Sequence, residues 1–230
     1  MSNTTRELYA TLLALKRMLR IFSWLCLMLV SSGVIAEQVV LQKDYFEHIH
    51  FRRIQPTVVS FNDAVINFDV HKSSSFLLHA FEEIRPVNAV SFQWKASGML
   101  NKTSRYHEKT RAGDDAWLRV GLIISGEPEL VPEPLLPRWV IKVRNTLKHP
   151  SDRMIYLIPD AQHDPGESWR SPFSSNIDMV AVDSQATSDG WNQVRYVFAE
   201  PRQAVGLWIM ADGDNTASIF NSQIRNLVLE

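Results

Sequence analysis

Val90-Ser91-Phe92-Gln93-Trp94-Lys95 decides how this chain is read. Val90, Phe92 and Trp94 are apolar and alternate with Ser91, Gln93 and Lys95. Successive side chains of a strand point to opposite faces, so strict alternation marks a strand with one buried face. The same period recurs on both sides. Upstream, Ile66, Phe68 and Val70 alternate with Asn67 and Asp69. Downstream, the apolar sets are Leu118, Val120 and Leu122, then Val194, Tyr196 and Phe198, then Val205, Leu207 and Ile209. Further strand candidates are 57–61, 75–81, 139–143, 154–158, 177–182 and 222–229. Turn chemistry separates them: Arg85-Pro86, Gly113-Asp114, Pro132 to Pro137, Asp164-Pro165-Gly166 and Asp212-Gly213-Asp214-Asn215. After residue 36 no stretch shows a capped helical stripe. About ten short strands without helices predict an all-β fold: a two-sheet β-sandwich of jelly-roll, galactose-binding-like type. Two polar stretches, roughly 96–116 and 159–176, read as long loops of the functional kind.

The N-terminus has a different composition. Lys16, Arg17 and Arg20 precede an apolar run from Ile21 to Val30, then Ser31, Ser32, Gly33 and Val34-Ile35-Ala36. Charge, apolar run and small residues, in that order, predict a secretory signal peptide over 1–36, cleaved before Glu37. The run falls short of the roughly 20 apolar residues of a spanning helix, so no stable membrane anchor is expected. Ser23 and Leu25 do not suit a lipobox at Cys26. Met18 offers a second possible start. The expected location is the periplasm. The mature part, 37–230, is expected to be a single domain. Cys26 is the chain's one cysteine, so that part has no disulfide and no thiolate chemistry. Its 20 basic and 24 acidic residues give a net charge of about −4, which argues against nucleic acid as a partner.

Five segments in order resemble a bacterial family, domain of unknown function 3047. They are Phe92-Gln93-Trp94-Lys95; Arg111-Ala112-Gly113-Asp114-Asp115 with Arg119-Val120; Ser171-Pro172-Phe173-Ser174-Ser175-Asn176; Met179-Val180-Ala181-Val182; and Ala211-Asp212-Gly213-Asp214-Asn215-Thr216. The resemblance implies an exported sandwich domain and carries no established activity. The chain departs from the pattern at Met154-Ile155-Tyr156-Leu157-Ile158, where a Trp-containing strand is usual, and around 126–150, where the linker is longer.

Two sets of candidate site residues stand out. Asp114 and Asp115 precede a strand, and Asp212, Asp214 and Asn215 follow one; sandwich loops at one end converge. Five hard oxygen donors suit calcium, which takes six to eight. The same residues also serve turn geometry, or pair with Arg119 or Arg111. The second set is built on tryptophan. Trp169 stands in Glu167-Ser168-Trp169-Arg170-Ser171, a flat aromatic among polar groups, as a sugar ring requires. Arg170, Ser171 and Asn176 supply hydrogen bonds beside it, and Trp208 lies on the face opposite Leu207. His48 and His50 share one strand face without a third ligand suggested by spacing. Gly-x-Ser-x-Gly, Gly-rich phosphate-loop and His-Glu-x-x-His signals are absent.

These readings converge on a non-enzymatic, exported binding module for a carbohydrate or cell-envelope glycan. One alternative is a glycosidase-like hydrolase using loop carboxylates, such as Asp115 with Asp212 or Glu108. The other is an envelope protein-assembly partner that pairs through a sheet edge.

Overall fold

The computed structural model describes residues 36–230. The expected signal peptide lies outside the described residues, apart from Ala36. Twelve strands are present among them. They are β1 (Glu37–Gln38), β2 (Glu47–His50), β3 (Val58–Asn62), β4 (Val65–His71), β5 (Ser75–Met99) and β6 (Ala116–Ser125). The rest are β7 (Ser151–Pro159), β8 (Ser168–Ser171), β9 (Ser174–Val182), β10 (Gln185–Ala186), β11 (Asn192–Asp212) and β12 (Ile219–Leu229).

Two long strands organise the molecule. β5 and β11 run antiparallel, from Trp94 opposite Asn192 to Phe76 opposite Met210. Their ladder changes register between Val197 and Arg202 and again between Ala204 and Gly206. Such irregularities bend a strand and increase its twist. On one side of the bend β2 joins β5 and β6 joins β11, giving a first sheet in the order β2-β5-β11-β6-β7-β9-β8. On the other side β12 joins β5 and β10 joins β11, giving a second sheet in the order β10-β11-β5-β12-β4-β3. All pairings are antiparallel except β7 with β9. The fold is an all-β, two-sheet sandwich, and both long strands belong to both sheets.

The alternating residues face each other across the sandwich. Leu77, Phe81, Leu118 and Leu207 of the first sheet share one core with Phe68, Val90, Phe92 and Ile224 of the second. Fully burying one such side chain contributes roughly 1.5–3 kcal/mol. The first sheet is apolar on its other face too. Met154 to Pro159 and Ala204 to Asp212 are buried at every position. Phe76, Leu78, Tyr156, Met179, Trp208 and Met210 form a second cluster on that outer face.

Three expectations need correction. The 75–81 and 90–95 segments are one strand, as are 194–198 and 205–209. Pro86 is therefore not in a turn; it sits within β5 opposite Gln203, where the strand passes between sheets. Proline gives no N–H to a ladder, and a bend tolerates that loss. The 139–143 segment is not a strand but part of a helix, Arg138–Thr146, opened by Pro137. Trp139, Val143 and Leu147 recur at the helical four-residue spacing and pack on the outer-face cluster. The 159–176 stretch is not all loop, because it contains β8. No helix among the described residues is long and apolar enough to cross a membrane.

Candidate functional site

A cleft of about 260 Å³ opens on the outer face of the first sheet. Tyr156 from β7, Met179 from β9 and Trp208 with Met210 from β11 line its sheet side. Phe51 after β2, Trp139 of the helix and Phe173 of the β8–β9 turn line it from elsewhere. Gly121 makes room for two of these rings. A Cβ there would meet Tyr156 Cε1 at 2.9 Å and Trp208 Cβ at 3.1 Å. Phe76 stacks on Trp208, ring centroids 3.3 Å apart and 10° from parallel. Trp139 and Tyr156 meet the same indole edge-on, at 5.9 and 6.2 Å. The Trp208 indole N–H donates to Met210 Sδ at 3.2 Å. The cleft is thus walled by closely packed aromatic rings.

Charged groups line the same cleft. Arg119 projects from β6 to the outer face and is only 3% exposed. Its Nη1 donates to Asp212 Oδ2 at 2.7 Å. Its Nη2 donates to the Asp114 carbonyl at 2.9 Å and to Asp114 Oδ1 at 3.0 Å. The guanidinium carbon lies 5.7 Å from the centre of the Tyr156 ring. Asp212 Oδ1 accepts from the Ala116 N–H at 3.2 Å. Burial pushes the Asp114 carboxyl up to about 6, although Arg119 pulls the other way. Burial likewise raises Asp212 well above the usual carboxylate range, against Arg119 and with the help of Asp115, Asp114 and Asp214. Burial and Asp115 raise the half-buried Asp214, which also lines the cleft. Burial raises the Tyr156 phenol, so it stays protonated.

The loops that present these groups are tied down. Asp115 is fully buried, and its Oδ1 accepts from Asn215 N and Nδ2 at 3.3 and 3.1 Å. Its Oδ2 accepts from Thr216 N and Oγ1, both at 2.6 Å. Glu108 pairs with Lys102 and accepts from the Gln162 N–H at 2.9 Å, joining the loop before β6 to the loop after β7.

A family model described as Protein of unknown function (DUF3047) matches residues 44–228. The chain belongs to this family. No curated protein matches this DUF3047 chain. Among solved structures it is similar to a family 29 carbohydrate-binding module, in mutant form and complexed with cellulohexaose. That likeness has TM-score 0.34 and 10% identity, and covers 86% of this chain and 92% of that chain. Another mutant of the same module gives TM-score 0.34 and 9% identity, covering 85% and 89%. A further structure of a carbohydrate binding module of family 29 gives 0.32 and 10%, covering 85% and 89%.

The sequence-predicted residues of the DUF3047 chain are only partly brought together. Trp208 and Ser171 line the cleft. Trp169 does not sit in a loop. It lies on β8, 8% exposed, with its ring centroid 4.2 Å from that of the buried His163. Ser168 and Arg170 point outward and give the segment its polar look. Arg170 is engaged by Asp178 at 2.8 Å and donates to the Ser175 carbonyl at 2.8 Å. Asn176 is exposed on β9, beside Ser175 rather than in the cleft. Sequence reasoning missed Tyr156, Trp139 and Phe173 as cleft residues. Unbroken apolar runs such as Met154 to Ile158 signal a strand buried on both faces and point to an occupied outer surface. His48 and His50 do share a face, ring centroids 4.5 Å apart, and His48 Nε2 lies 2.8 Å from Ser75 Oγ.

Of the five calcium candidates, Asp114 and Asp212 hold Arg119, and Asp115 holds Asn215. Asp115, Asp212 and Asp214 each bring one carboxylate oxygen within 4.8 Å of the others. Both oxygens of Asp115 and of Asp212 already accept hydrogen bonds, and a fixed cation stands beside Asp212. These hydrogen bonds and the adjacent guanidinium compete with a calcium ion for the carboxylate oxygens, of which calcium takes several among its six to eight ligands. Thermal melts of metal-free protein are expected to coincide with and without added calcium. A rise of several degrees with calcium would assign an ion here instead.

Proposed function

We propose that this cleft binds one sugar ring of a cell-envelope glycan, and that the domain is a non-enzymatic binding module exported to the periplasm. One observation carries the reading: aromatic rings and hydrogen-bonding groups line a single small cleft. A pyranose presents an apolar face and a rim of hydroxyls, and needs both surfaces. At about 260 Å³ the space is smaller than the roughly 300–1,000 Å³ of pockets for drug-sized ligands. It suits one ring, such as a chain end, rather than a long oligomer. Ser171, Ser174 and Asn215 line the cleft and can bond sugar hydroxyls. Export rests on the charged, apolar and small-residue order of residues 1–36.

Trp139 provides the test. It is half-buried on the helix and borders the cleft, so its loss spares the main core. Calorimetric titration with monosaccharides from envelope glycans is expected to give dissociation constants on the order of micromolar to millimolar. Trp139→Ala is expected to weaken binding about tenfold or more. Equal binding by the variant would place the site elsewhere. The raised carboxylates of Asp114 and Asp212 favour hydrolysis as a second reading. Release of reducing sugar from an envelope glycan, lost in Asp114→Asn, would establish it over binding alone.

A further inference from the structure

We propose that the sugar taken by this cleft is a hexosamine carrying a free ammonium group; this rests on the glycan reading of the same cleft. Charge in the cleft is out of balance. Asp114, Asp212 and Asp214 line it against one cation, Arg119. Arg119 is shared by Asp114 and Asp212, so one cation faces two carboxyl groups. Asp214 adds a third carboxyl group to the lining. Asp115, directly behind, is satisfied by neutral N–H and O–H groups of Asn215 and Thr216, so its charge is also unmatched.

The other nearby cations do not close this deficit. Lys102 is buried in its pair with Glu108. Arg111 lies at the rim, 5.4 Å from the Phe173 ring centre, and donates to the Pro172 carbonyl. The cleft interior therefore favours positive charge.

Two further features narrow the ligand. Trp139, Trp208 and Phe51 present aromatic surface in the same cleft. Aromatic faces attract ammonium groups, by about 0.5–2 kcal/mol according to exposure. Ser171, Ser174 and Asn215 line the same cleft and offer hydrogen bonds to hydroxyl groups. A molecule with an ammonium, hydroxyl oxygens and an apolar ring face meets all three requirements. A neutral hexose meets two of them. An acidic sugar is opposed by the carboxylates.

The test uses a matched set of methyl glycosides of glucosamine, N-acetylglucosamine and glucose, titrated calorimetrically into the purified protein at neutral pH. The glucosaminide is expected to bind about tenfold tighter than the other two. Asp214→Asn, near-isosteric at a half-buried site, should bring the three within about twofold by weakening the glucosaminide. Rising salt should erode the preference of the wild-type protein without any substitution. Three equal affinities, all weakened by Trp139→Ala, would overturn the ammonium inference and leave the glycan reading standing. A preference that salt does not move would also overturn it. Binding of none of the three would overturn both.

Discussion

Replacing Arg119 with leucine lowers the stability of the domain by about 3–5 kcal/mol at neutral pH. The side chain is enclosed and holds Asp114 and Asp212. Leucine removes the cation but leaves two buried carboxylates. Breaking one side of a buried ion pair costs more than the pair itself contributes, because the orphaned charge stays desolvated. Urea denaturation measures the loss. Adding Asp114→Asn and Asp212→Asn to the leucine variant should recover most of it, since no unpaired charge then remains. A single Arg119→Leu within about 1 kcal/mol of wild type would mean that the ion pair contributes little.

The direction of the carboxyl shifts sets the pH dependence of that variant. Burial raises Asp114 from 3.8 to about 6 in the folded protein, even with Arg119 opposing. The native state therefore holds this proton more tightly than the unfolded chain. Stability falls as pH rises through that window, because the native carboxyl binds more protons there. Without Arg119 the opposing pull is gone and the window extends upward. The deficit of the leucine variant should be largest above neutrality and shrink as pH falls toward 4, where both carboxyls are protonated.

Strands were legible wherever one face is buried and the other wet. Val90 to Lys95 and Val194 to Phe198 both read by their period, and both lie in the second sheet. Alternation reports a local period and carries no information on continuity. Pro86 looked like an end to a strand because proline usually is one, yet β5 continues past it into the other sheet. The helix at Arg138–Thr146 was hidden by a short window. Trp139, Ile141 and Val143 satisfy a period of two over five residues, and only Leu147 reveals the spacing of four.

The candidate site was half legible for a related reason. Ala211 to Thr216 and Asp114-Asp115 stood out as loop chemistry at strand ends, and the fold does bring them together around Arg119. Arg119 itself appears in sequence as the polar member of an alternating strand, which normally means solvent. Here the outer face of β6 is covered, so the same position is a buried cation. Trp169 failed in the opposite sense. Its polar neighbours suggested an exposed platform, but those neighbours point outward from a short strand and the indole points in.

Trp208 is an apolar residue on the phase of its strand opposite to the core-facing one. Leu207 fills the sandwich core, and Trp208, one residue on, fills the outer-face cluster at 3% exposure. Trp208→Ala is expected to cost about 3–5 kcal/mol, the range of large-to-small aromatic substitutions in cores. Its stack with Phe76 supplies about 0.5–1.5 kcal/mol of that beyond area burial. The cleft would widen at the same time, since the indole is one of its walls. Trp208→Phe keeps a ring on Phe76 and should recover much of the stability. Trp169→Ala supplies the contrast. Buried against His163 and not among the residues that line the cleft, it should lose stability while sugar affinity stays within about twofold of wild type. Chemical denaturation and calorimetric titration of both alanine variants separate the two roles. Loss of sugar binding in Trp169→Ala, with Trp208→Ala unaffected, would move the site from the cleft to the β8 edge.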